Sequence, residues 1–362
     1  MERKVIVVIP SYEPPSSFIA YVQNLILNGV YQVVVVNDGS SEKYNGVYDK
    51  IKDINGVTLL SYQDNRGKGY ALKFAFEHIN KEIIKDYVIV TADCDGQHAI
   101  NDVLNLANAS IKNPTSLILG VRDFKDKGVP RRSRFGNLNT RRLFRLLYGL
   151  KITDTQTGLR AFSHKLTDKM IEINGNRFEY EMNVLISLFK QNVNFIEIPV
   201  KTIYEKKPED VDKRSHFKTF SDSLKVWSVL LKNVNTYLVA VVISAVIEIC
   251  LFTIGEYLFF KGFNPAIKTL LSSTYSRIIS SIVNYHLNYK FVFNGKEKSA
   301  VIRYYVLWGG LLASSYLLTN LFGNVLGLPI VIFKLITDIS LAIISYRIQV
   351  TWVFKHGNKK LR

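Results

Sequence analysis

The sequence predicts two domains of different class, an α/β domain with a mostly parallel sheet followed by an all-α membrane domain of four helices. Three observations support this prediction. Apolar runs typical of buried strands alternate with charged segments typical of helices up to about residue 233, and polar turns follow these runs. Four long apolar segments come after that point. Hydrophobic residues make up 48% of the 362, which is high for a purely soluble protein.

The composition limits the compartment and the kinds of partner. A formal net charge of +17 at pH 7 favours nucleic acid, anionic lipid or a phosphorylated substrate, and the apolar segments favour the last two. Two cysteines, Cys94 and Cys250, are too few for a disulfide framework or a Cys-rich zinc site. The run Val5–Ile9 is too short for the core of a cleavable signal, so we expect the first domain to stay in the cytosol.

The N-terminal segment is predicted to form a βαβ unit. Lys4–Pro10 and Gln32–Val36 are apolar runs typical of buried parallel strands, and Ser16–Leu27 between them is predicted to be helical. The second strand ends at Asn37-Asp38-Gly39-Ser40-Ser41. A carboxylate at this end of a strand is placed to accept hydrogen bonds from a base or ribose, although a plain turn is the other interpretation of Asp38.

A glycine-rich loop follows the third strand, Val57–Tyr62, and precedes a helix predicted over Tyr70–Asn80. Its sequence is Asp64-Asn65-Arg66-Gly67-Lys68-Gly69. The glycines let the backbone approach a ligand, and Arg66, Lys68 and the helix N-terminus favour an anion. It is not a Walker A loop, because it lacks the Gly-Lys-Ser/Thr ending.

The strand Tyr87–Ala92 ends in Asp93-Cys94-Asp95-Gly96-Gln97-His98. At the carboxyl end of a parallel strand, Asp93 and Asp95 can both reach one divalent cation beside a diphosphate. Hard oxygen ligands suit Mg²⁺ or Mn²⁺ and not zinc. For an isolated Asp-x-Asp, a solvated acidic turn is the alternative interpretation.

Four motifs, in this order and at these spacings, resemble family 2 glycosyltransferases of the GT-A fold over residues 4–220. They are Ile9–Glu13, Asn37–Ser40, Asn65–Gly69 and Asp93–His98. Within the family the chain looks most like the polyprenyl-phosphate glycosyltransferases, such as dolichyl-phosphate mannose synthase and bactoprenol glucosyltransferase. The resemblance implies inverting transfer of a hexose from a nucleotide-diphosphate sugar to undecaprenyl or dolichyl phosphate, for cell-envelope or protein glycosylation. UDP-glucose is favoured by analogy, with GDP-mannose as the other donor.

The resemblance also implies roles for single residues. Asp93, Asp95 and Gln97 would hold Mg²⁺ or Mn²⁺ and the diphosphate. The residues implied at the donor nucleotide are Pro10, Tyr12, Glu13, Asp38, Arg66, Lys68, Ala92 and Asp93. Gly96 departs from the pattern, since relatives often carry an apolar residue there, and we expect only local consequences.

A basic region follows the strand Leu117–Arg122. It contains Arg131, Arg132, Arg134, Arg141, Arg142 and Arg145. If Arg134–Leu150 is helical, Leu143, Leu146, Leu147 and Leu150 share one face, with Arg134, Arg141 and Arg145 opposite. A guanidinium suits phosphate well, while a solvated basic face or an anionic membrane surface are the other interpretations. We exclude nucleic acid because the chain has no groove-reading motif.

By resemblance, Arg122 and one or two of Arg131, Arg132 and Arg134 bind the acceptor's phosphate. The loop Asp154–Arg160 matches the family's acceptor side, and Asp154 is the candidate for the carboxylate nearest the sugar. We therefore take Asp93, Asp95, Arg122 and Asp154 as the catalytic candidates. A buried Glu in Arg177–Met182 is more often a partner for an Arg than a base, and a largely ionised phosphate acceptor hardly needs a strong base.

The C-terminal part is predicted to cross the membrane four times, at about residues 237–260, 266–289, 304–326 and 328–353. We expect a catalytic domain at 1–215, a basic amphipathic interfacial segment at 201–233 and a membrane domain at 234–362. Cations are concentrated in the second connection and the tail, so the positive-inside rule places both termini and the catalytic domain in the cytosol of a multi-pass cell-membrane protein.

The membrane part contains an internal repeat. Ser281–Phe293 aligns without gaps on Ala342–Phe354, which suggests duplicated hairpins. This half resembles the GtrA family of small four-helix proteins found beside prenyl-linked glycosyltransferases. The ionisable residues within the predicted spans are Glu248, Arg277, Lys334 and Asp338, and we expect them to be paired.

Two other functions stay open at this point. The first is a glycan-polymerising family 2 synthase, which typically carries a Gln-x-x-Arg-Trp motif that the soluble part lacks. The second is a lipid-linked sugar flippase or a recruitment module, against which the intact Asp93 and Asp95 pair argues. A homo-oligomer is compatible with the sequence.

Overall fold

The computed structural model describes residues 4–83, 86–123, 131–149, 151–201, 219–293, 299–321 and 330–354. Within its helices, the side chains of some residues, among them 131–136, 331–335 and 338, also lie outside the description. The chain divides into two compact units. The first contains Met1–Leu143 and Lys151–Val229, and the second contains Phe144–Leu150 and Leu230–Arg362.

The first unit is built on a seven-stranded sheet in the order β3-β2-β1-β4-β6-β5-β7. The strands are β1 (Lys4–Ser11), β2 (Gln32–Asp38), β3 (Val57–Tyr62), β4 (Tyr87–Thr91), β5 (Ser116–Arg122), β6 (Arg160–Ser163) and β7 (Asn194–Val200). All neighbouring pairs are parallel except those of β6, which is antiparallel to β4 and β5. This confirms the predicted α/β class with a mostly parallel sheet.

Helices follow most of these strands. They are α1 (Ser17–Leu27), α2 (Asn45–Lys52), α3 (Lys68–Glu82), α4 (Ile100–Lys112), α5 (Arg131–Tyr148), α6 (Thr167–Glu172) and α7 (Glu179–Lys190). The apolar strand runs are completely buried: Val7 and Ile9 in β1, Val33 and Val35 in β2 and Val90 in β4 are all 0% exposed. Helix α3 begins at Lys68, two residues before the predicted start, which places this lysine on the first helical turn.

The topology positions the candidate site. From β1 the chain adds β2 and β3 on one side of the sheet, and then returns to place β4 on the other side of β1. Such a reversal of strand order leaves a crevice at the carboxyl ends of the strands, where ligands bind in open α/β sheets. The ends of β1, β2 and β4 therefore meet at one place.

Helix α5 is amphipathic, but its buried face differs from the predicted leucine face. The residues buried on it are Asn137, Thr140, Phe144, Leu147 and Tyr148. Of the predicted leucine face, Leu147 is buried and Leu146 is 46% exposed, and residue 150 lies outside the described residues. The aromatic residues Phe144 and Tyr148 belong to the buried face because they repeat at helical spacing with Asn137.

Four long helices make up most of the described residues of the second unit, and the first of them begins before the unit does, at Thr219. They are α8 (Thr219–Ile254), α9 (Pro265–Leu287), α10 (Ala300–Asn320) and α11 (Ile330–Ile348). The stretch Val234–Phe259 is long and apolar enough to cross a membrane. Of the predicted interfacial segment, residues 202–218 lie outside the described residues, and the part from Thr219 onward is the beginning of α8.

The internal repeat has a structural counterpart. Helices α9 and α11 each continue into a π-helical turn, at Asn288–Val292 and Gln349–Val353. The rings of Phe293 and Phe354, which follow these turns, stack with centroids 4.8 Å apart. Arg277 pairs with Glu248 at 3.4 Å, as predicted for charges within the spans, whereas the side chains of Lys334 and Asp338 lie outside the description.

Candidate active site

The Asp38 carboxylate organises the glycine-rich loop that precedes α3. Asp38 ends β2 and is 4% exposed. Its Oδ1 accepts hydrogen bonds from the Tyr62 hydroxyl and from the backbone N–H of Arg66, both at 2.8 Å, and the N–H of Gly67 donates to Oδ2 at 2.9 Å. Asp38 thus fixes the loop that carries Arg66 and Lys68. Its contact with a nucleoside stays a prediction.

The Tyr48 hydroxyl joins the loops that follow β1 and β2. It lies 3.0 Å from Ser11 Oγ and 2.8 Å from Ser40 Oγ, and the backbone N–H of Glu13 donates to Ser40 Oγ at 2.9 Å. Burial raises the pKa of Tyr48 to about 12, although the bonds to the two serines lower it. Tyr48 therefore keeps its proton at neutral pH and holds both loops together.

Lys68 forms a buried ion cluster with two carboxylates. Its Nζ lies 2.6 Å from Asp93 Oδ1 and 2.7 Å from Glu181 Oε1, and His98 Nε2 lies 3.2 Å from Asp93 Oδ2. Burial raises the pKa of Asp93, but the charges and hydrogen bonds of Lys68 and His98 together outweigh burial and move that pKa well below its usual range. Burial likewise lowers the pKa of Lys68, and the two carboxylates raise it above normal. Lys68 and Asp93 are therefore both charged at neutral pH.

Gly158 closes this cluster on another side. A Cβ at position 158 would lie 2.6 Å from Asp93 Oδ2 and 2.8 Å from Lys68 Nζ, so any larger residue would displace one of these two charged groups. Thr91 Oγ1 donates to the backbone oxygen of Gly158 at 2.7 Å, which holds the loop against the end of β4. Lys68 of α3, His98 and Gly158 of the loop before β6 thus surround the Asp93 carboxylate.

Asp95 lies two residues farther on and is exposed. The backbone N–H of Gln97 donates to its Oδ1 at 3.1 Å. Partial loss of hydration and the negative charge of Asp93 raise the pKa of Asp95. A cation beside these carboxylates would relieve that repulsion, and the oxygen atoms of Asp93, Asp95 and Gln97 are donors that Mg²⁺ and Mn²⁺ prefer.

The residues present therefore fit the predicted ion. Among the described residues, no cluster of three or more His, Cys, Asp or Glu side chains could hold a metal. The fit consequently depends on two carboxylates and one amide, which is the ligand set of a site that a bound diphosphate helps to complete.

Arg122 and Asp154 form a bidentate pair at the end of β5. Arg122 Nε and Nη2 donate to Asp154 Oδ2 and Oδ1 at 2.7 and 3.1 Å. Asp154 is completely buried, whereas the Arg122 side chain is 28% exposed. A second anchor is Asn137 of α5, whose side chain donates to the backbone oxygen of Thr153 at 2.9 Å. The position that sequence reasoning assigned to Asp154, nearest the sugar, stays a prediction, and the described contacts orient Arg122.

The other predicted residues lie as follows. Pro10 and Ala92 are buried at the ends of β1 and β4, and Tyr12 and Glu13 are half-buried in the loop after β1. Burial and the nearby charges of Glu13 and Asp38 raise the pKa of Tyr12. Arg131, Arg132 and Arg134 begin α5, but their side chains lie outside the described residues, and their contact with phosphate stays a prediction.

Sequence reasoning missed the ionic partner of Lys68. It expected a glutamate of this segment to pair with an arginine, and Glu181 pairs with Lys68. It assigned no role to Tyr62, Asn137 or His98, which contact Asp38, Thr153 and Asp93. The one available signal was the placement of His98 five residues after Asp93, within reach across a tight turn.

Two family models match the chain. The model described as glycosyl transferase family 2 matches residues 6–171, and the model described as GtrA/DPMS, transmembrane domain matches residues 236–354. The second match and the apolar stretch Val234–Phe259 identify a membrane protein.

Several curated proteins are similar to the chain. An uncharacterized protein of Methanocaldococcus jannaschii is 30% identical over 205 residues, which are 56% of this chain and 82% of that protein. The UDP-N-acetylglucosamine–dolichyl-phosphate N-acetylglucosaminyltransferase of Methanococcus voltae is 29% identical over 56% of this chain and 87% of its own length. The dolichyl-phosphate beta-glucosyltransferase of Saccharomyces cerevisiae is 25% identical over 54% and 65%.

Among solved structures, glucosyl-3-phosphoglycerate synthase from Mycobacterium tuberculosis, in complex with Mn²⁺, UDP and phosphoglyceric acid, matches with a TM-score of 0.48. The match covers 64% of this chain and 78% of that one, at 17% identity. A similarity at this level carries no inference about the ligands of this chain.

Proposed function

Because the chain belongs to glycosyl transferase family 2, we propose that it transfers a sugar from a nucleotide-diphosphate donor to a polyprenyl phosphate, with inversion at the anomeric carbon and with a divalent cation. The reaction takes place at the cytosolic face of the membrane. The named relatives support the acceptor class, since two of them are by name dolichyl-phosphate sugar transferases.

One observation carries this proposal: an acidic pair and a fixed arginine lie at the same edge of one sheet. Asp93 and Asp95 follow β4, and Arg122 ends β5, with only the short strand β6 between them. Adjacent strands lie about 4.8 Å apart, so these two strand ends are roughly 10 Å apart. This spacing accommodates a sugar between a leaving diphosphate and an attacking phosphate.

The donor side neutralises and orients the leaving group. Asp93, Asp95 and Gln97 would hold Mg²⁺ or Mn²⁺, which when bound supplies charge neutralisation for the leaving diphosphate. Arg66 and the N-terminus of α3 present positive charge and backbone N–H groups on the loop that Asp38 holds. Lys68 adds a second cation at the same point.

On the acceptor side, the phosphate must be positioned for attack, and a general base is hardly needed. A phosphate monoester has a second pKa of about 6, so most of it is already a dianion at neutral pH and can attack without losing a proton. Arg122 binds and orients this phosphate, assisted by one or two of Arg131, Arg132 and Arg134. Asp154 holds the Arg122 guanidinium in place by the bidentate contact.

The membrane unit anchors the protein in the bilayer that holds the polyprenyl acceptor. We propose that all four long helices of the second unit cross the bilayer and that both termini are cytosolic. The basic flanks of these helices favour an anionic lipid surface, and the spans make attachment permanent.

The test is transfer by the purified full-length protein. It is incubated with undecaprenyl phosphate, Mn²⁺ and, in turn, UDP-glucose, UDP-N-acetylglucosamine and GDP-mannose, and the lipid products are identified by mass spectrometry. We expect one prenyl phosphate to gain a single hexose or N-acetylhexosamine. Asp95→Asn should abolish the product, while the matched Asp53→Asn should not, because Asp53 is exposed between α2 and β3 at the opposite edge of the sheet. Absence of lipid-linked sugar with every donor contradicts the proposal.

A further inference from the structure

The Lys68 ammonium at Asp93 also contacts a second carboxylate, which comes from a distant part of the chain. Lys68 Nζ lies between Asp93 Oδ1 at 2.6 Å and Glu181 Oε1 at 2.7 Å. The side chains of Lys68 and Glu181 are only 17% and 13% exposed, so this is a built cluster and not a surface ion pair.

Close packing of two helices creates the cluster. Lys68 begins α3, and Glu181 lies in the first turn of α7. A Cβ on Gly69 would lie 2.5 Å from Tyr180 Cβ, so the two first turns approach as closely as their backbones permit. With Gly158 against the ammonium on another side, Lys68 has little freedom to leave Asp93 and Glu181.

The cluster has a consequence for the proposed metal site. Both oxygens of Asp93 already have partners, Lys68 and His98, although this carboxylate is a proposed metal ligand. A positive ammonium at 2.6 Å competes with a divalent cation for the same oxygen. The competition weakens if another carboxylate holds the ammonium from the far side, and Glu181 is placed to do this.

We propose that Glu181 is a positioning residue of the donor site. It shares the Lys68 ammonium with Asp93, keeps that ammonium oriented towards Asp93 before ligands arrive, and retains it beside the diphosphate when Asp93 turns to a divalent cation. This inference rests on the proposed function, because it takes Asp93 and Asp95 as the metal ligands.

The test is Mn²⁺ binding to the purified full-length protein without any substrate, measured by electron paramagnetic resonance of the free ion. In Glu181→Gln, Asp93 is the one carboxylate left to the ammonium among the described residues, and we expect Mn²⁺ affinity to fall by about 2- to 150-fold, the range usual for groups that share a partner. In Lys68→Met the competing ammonium is gone, and affinity should rise above that of the wild type.

The double variant decides whether the two residues act together. In the Lys68→Met background, Glu181→Gln should change Mn²⁺ affinity far less than it does alone. Glu82→Gln is the matched control, since Glu82 is exposed at the other end of α3, about 20 Å along the helix at 1.5 Å per residue. It should leave Mn²⁺ affinity unchanged, and circular dichroism checks that each variant is folded.

The outcomes separate this inference from the proposed function. Suppose that Mn²⁺ binding is lost in Asp95→Asn, but Glu181→Gln has the same effect in the wild type and in the Lys68→Met background. The role of Glu181 is then overturned, and the proposed metal site stands. Unaltered or weaker binding in Lys68→Met also overturns it. If the wild type shows no saturable Mn²⁺ binding, the proposed role of Asp93 and Asp95 as metal ligands is contradicted, and so is this inference. Should Lys68→Met be unfolded, Lys68→Arg keeps the charge and should preserve the effect of Glu181→Gln.

Discussion

Asp154→Asn tests whether a buried carboxylate acts on the acceptor through Arg122. Asp154 is 0% exposed, and its two oxygens accept from Nε and Nη2 of Arg122. Asparagine has nearly the same shape and keeps one oxygen, so the substitution removes the negative charge and one acceptor. Because a completely buried side chain does not reach a ligand, we expect the effect to appear as poorer orientation of Arg122.

The magnitude follows from the geometry of the pair. Two unit charges about 4 Å apart attract by about 4 kcal/mol at an effective dielectric constant of about 20. Arg122 is 28% exposed, so water replaces part of this interaction. The retained oxygen preserves one hydrogen bond, and the expected loss in acceptor binding is about 1.5 to 3 kcal/mol, the range for hydrogen bonds to charged groups.

The assay measures acceptor and donor dependence separately. A loss of 1.5 to 3 kcal/mol corresponds to a roughly 10- to 150-fold increase in KM for the prenyl phosphate. Donor affinity, measured by titration with the nucleotide sugar and Mn²⁺, should stay within about twofold, because none of the contacts of Asp154 reaches the loops after β1, β2 or β4 in the described residues.

One result would refute this reasoning. If kcat falls while the KM for the acceptor and the melting temperature are unchanged, Asp154 acts at the sugar, as the sequence alone suggested. A parallel measurement on Arg122→Lys separates charge from orientation, since lysine keeps the charge but cannot make the bidentate contact.

Three further outcomes are expected. Arg134→Ala should raise the KM for prenyl phosphate by about 10-fold or more. Its control is Lys81→Ala, at an exposed site at the end of α3, which should leave this KM unchanged. If Arg134→Ala lowers nucleotide affinity equally, Arg134 belongs to the donor site. Gly158→Ala should weaken Mn²⁺ and donor binding, because its Cβ would lie 2.6 Å from Asp93 Oδ2. Gly46→Ala, where nothing lies within 4 Å of an added Cβ, is its control, and similar effects of both substitutions would disprove the steric argument. Excess EDTA should stop transfer and added Mn²⁺ should restore it, so continued turnover in EDTA removes the metal from the mechanism.

Much of the fold could be predicted from local patterns. The strand Val57–Tyr62 was predicted with its observed bounds, and the predicted starts of β1, β2 and β4 agree with the structure. These strands are continuous apolar runs ended by polar turns, which is a signal that neighbouring residues carry by themselves. The short strand β6 was missed because Arg160–Ser163 has only four residues and no apolar run.

The site was predictable only in part, because only some of its residues are marked by their neighbours in the sequence. Acidic and basic residues can be recognised at strand ends by the apolar run that precedes them, so the strand-end positions of Asp38, Asp93, Asp95 and Arg122 were predictable, while their roles stay predictions. Their partners are not adjacent in the sequence. Which side chain pairs with each of them depends on how distant elements pack.

The sequence by itself therefore determined the class of the sheet, the residues at its carboxyl edge and the apolar character of the second half, because periodicity and turn residues are local properties. Only the tertiary structure decided that Lys68 lies between Asp93 and Glu181 and that Asp154 is buried against Arg122. Charge pairing over such sequence separations is set by helix packing, here the contact between the first turns of α3 and α7 that Gly69 permits. A charge in this packed interior must find a partner, and packing alone selects which one is within reach.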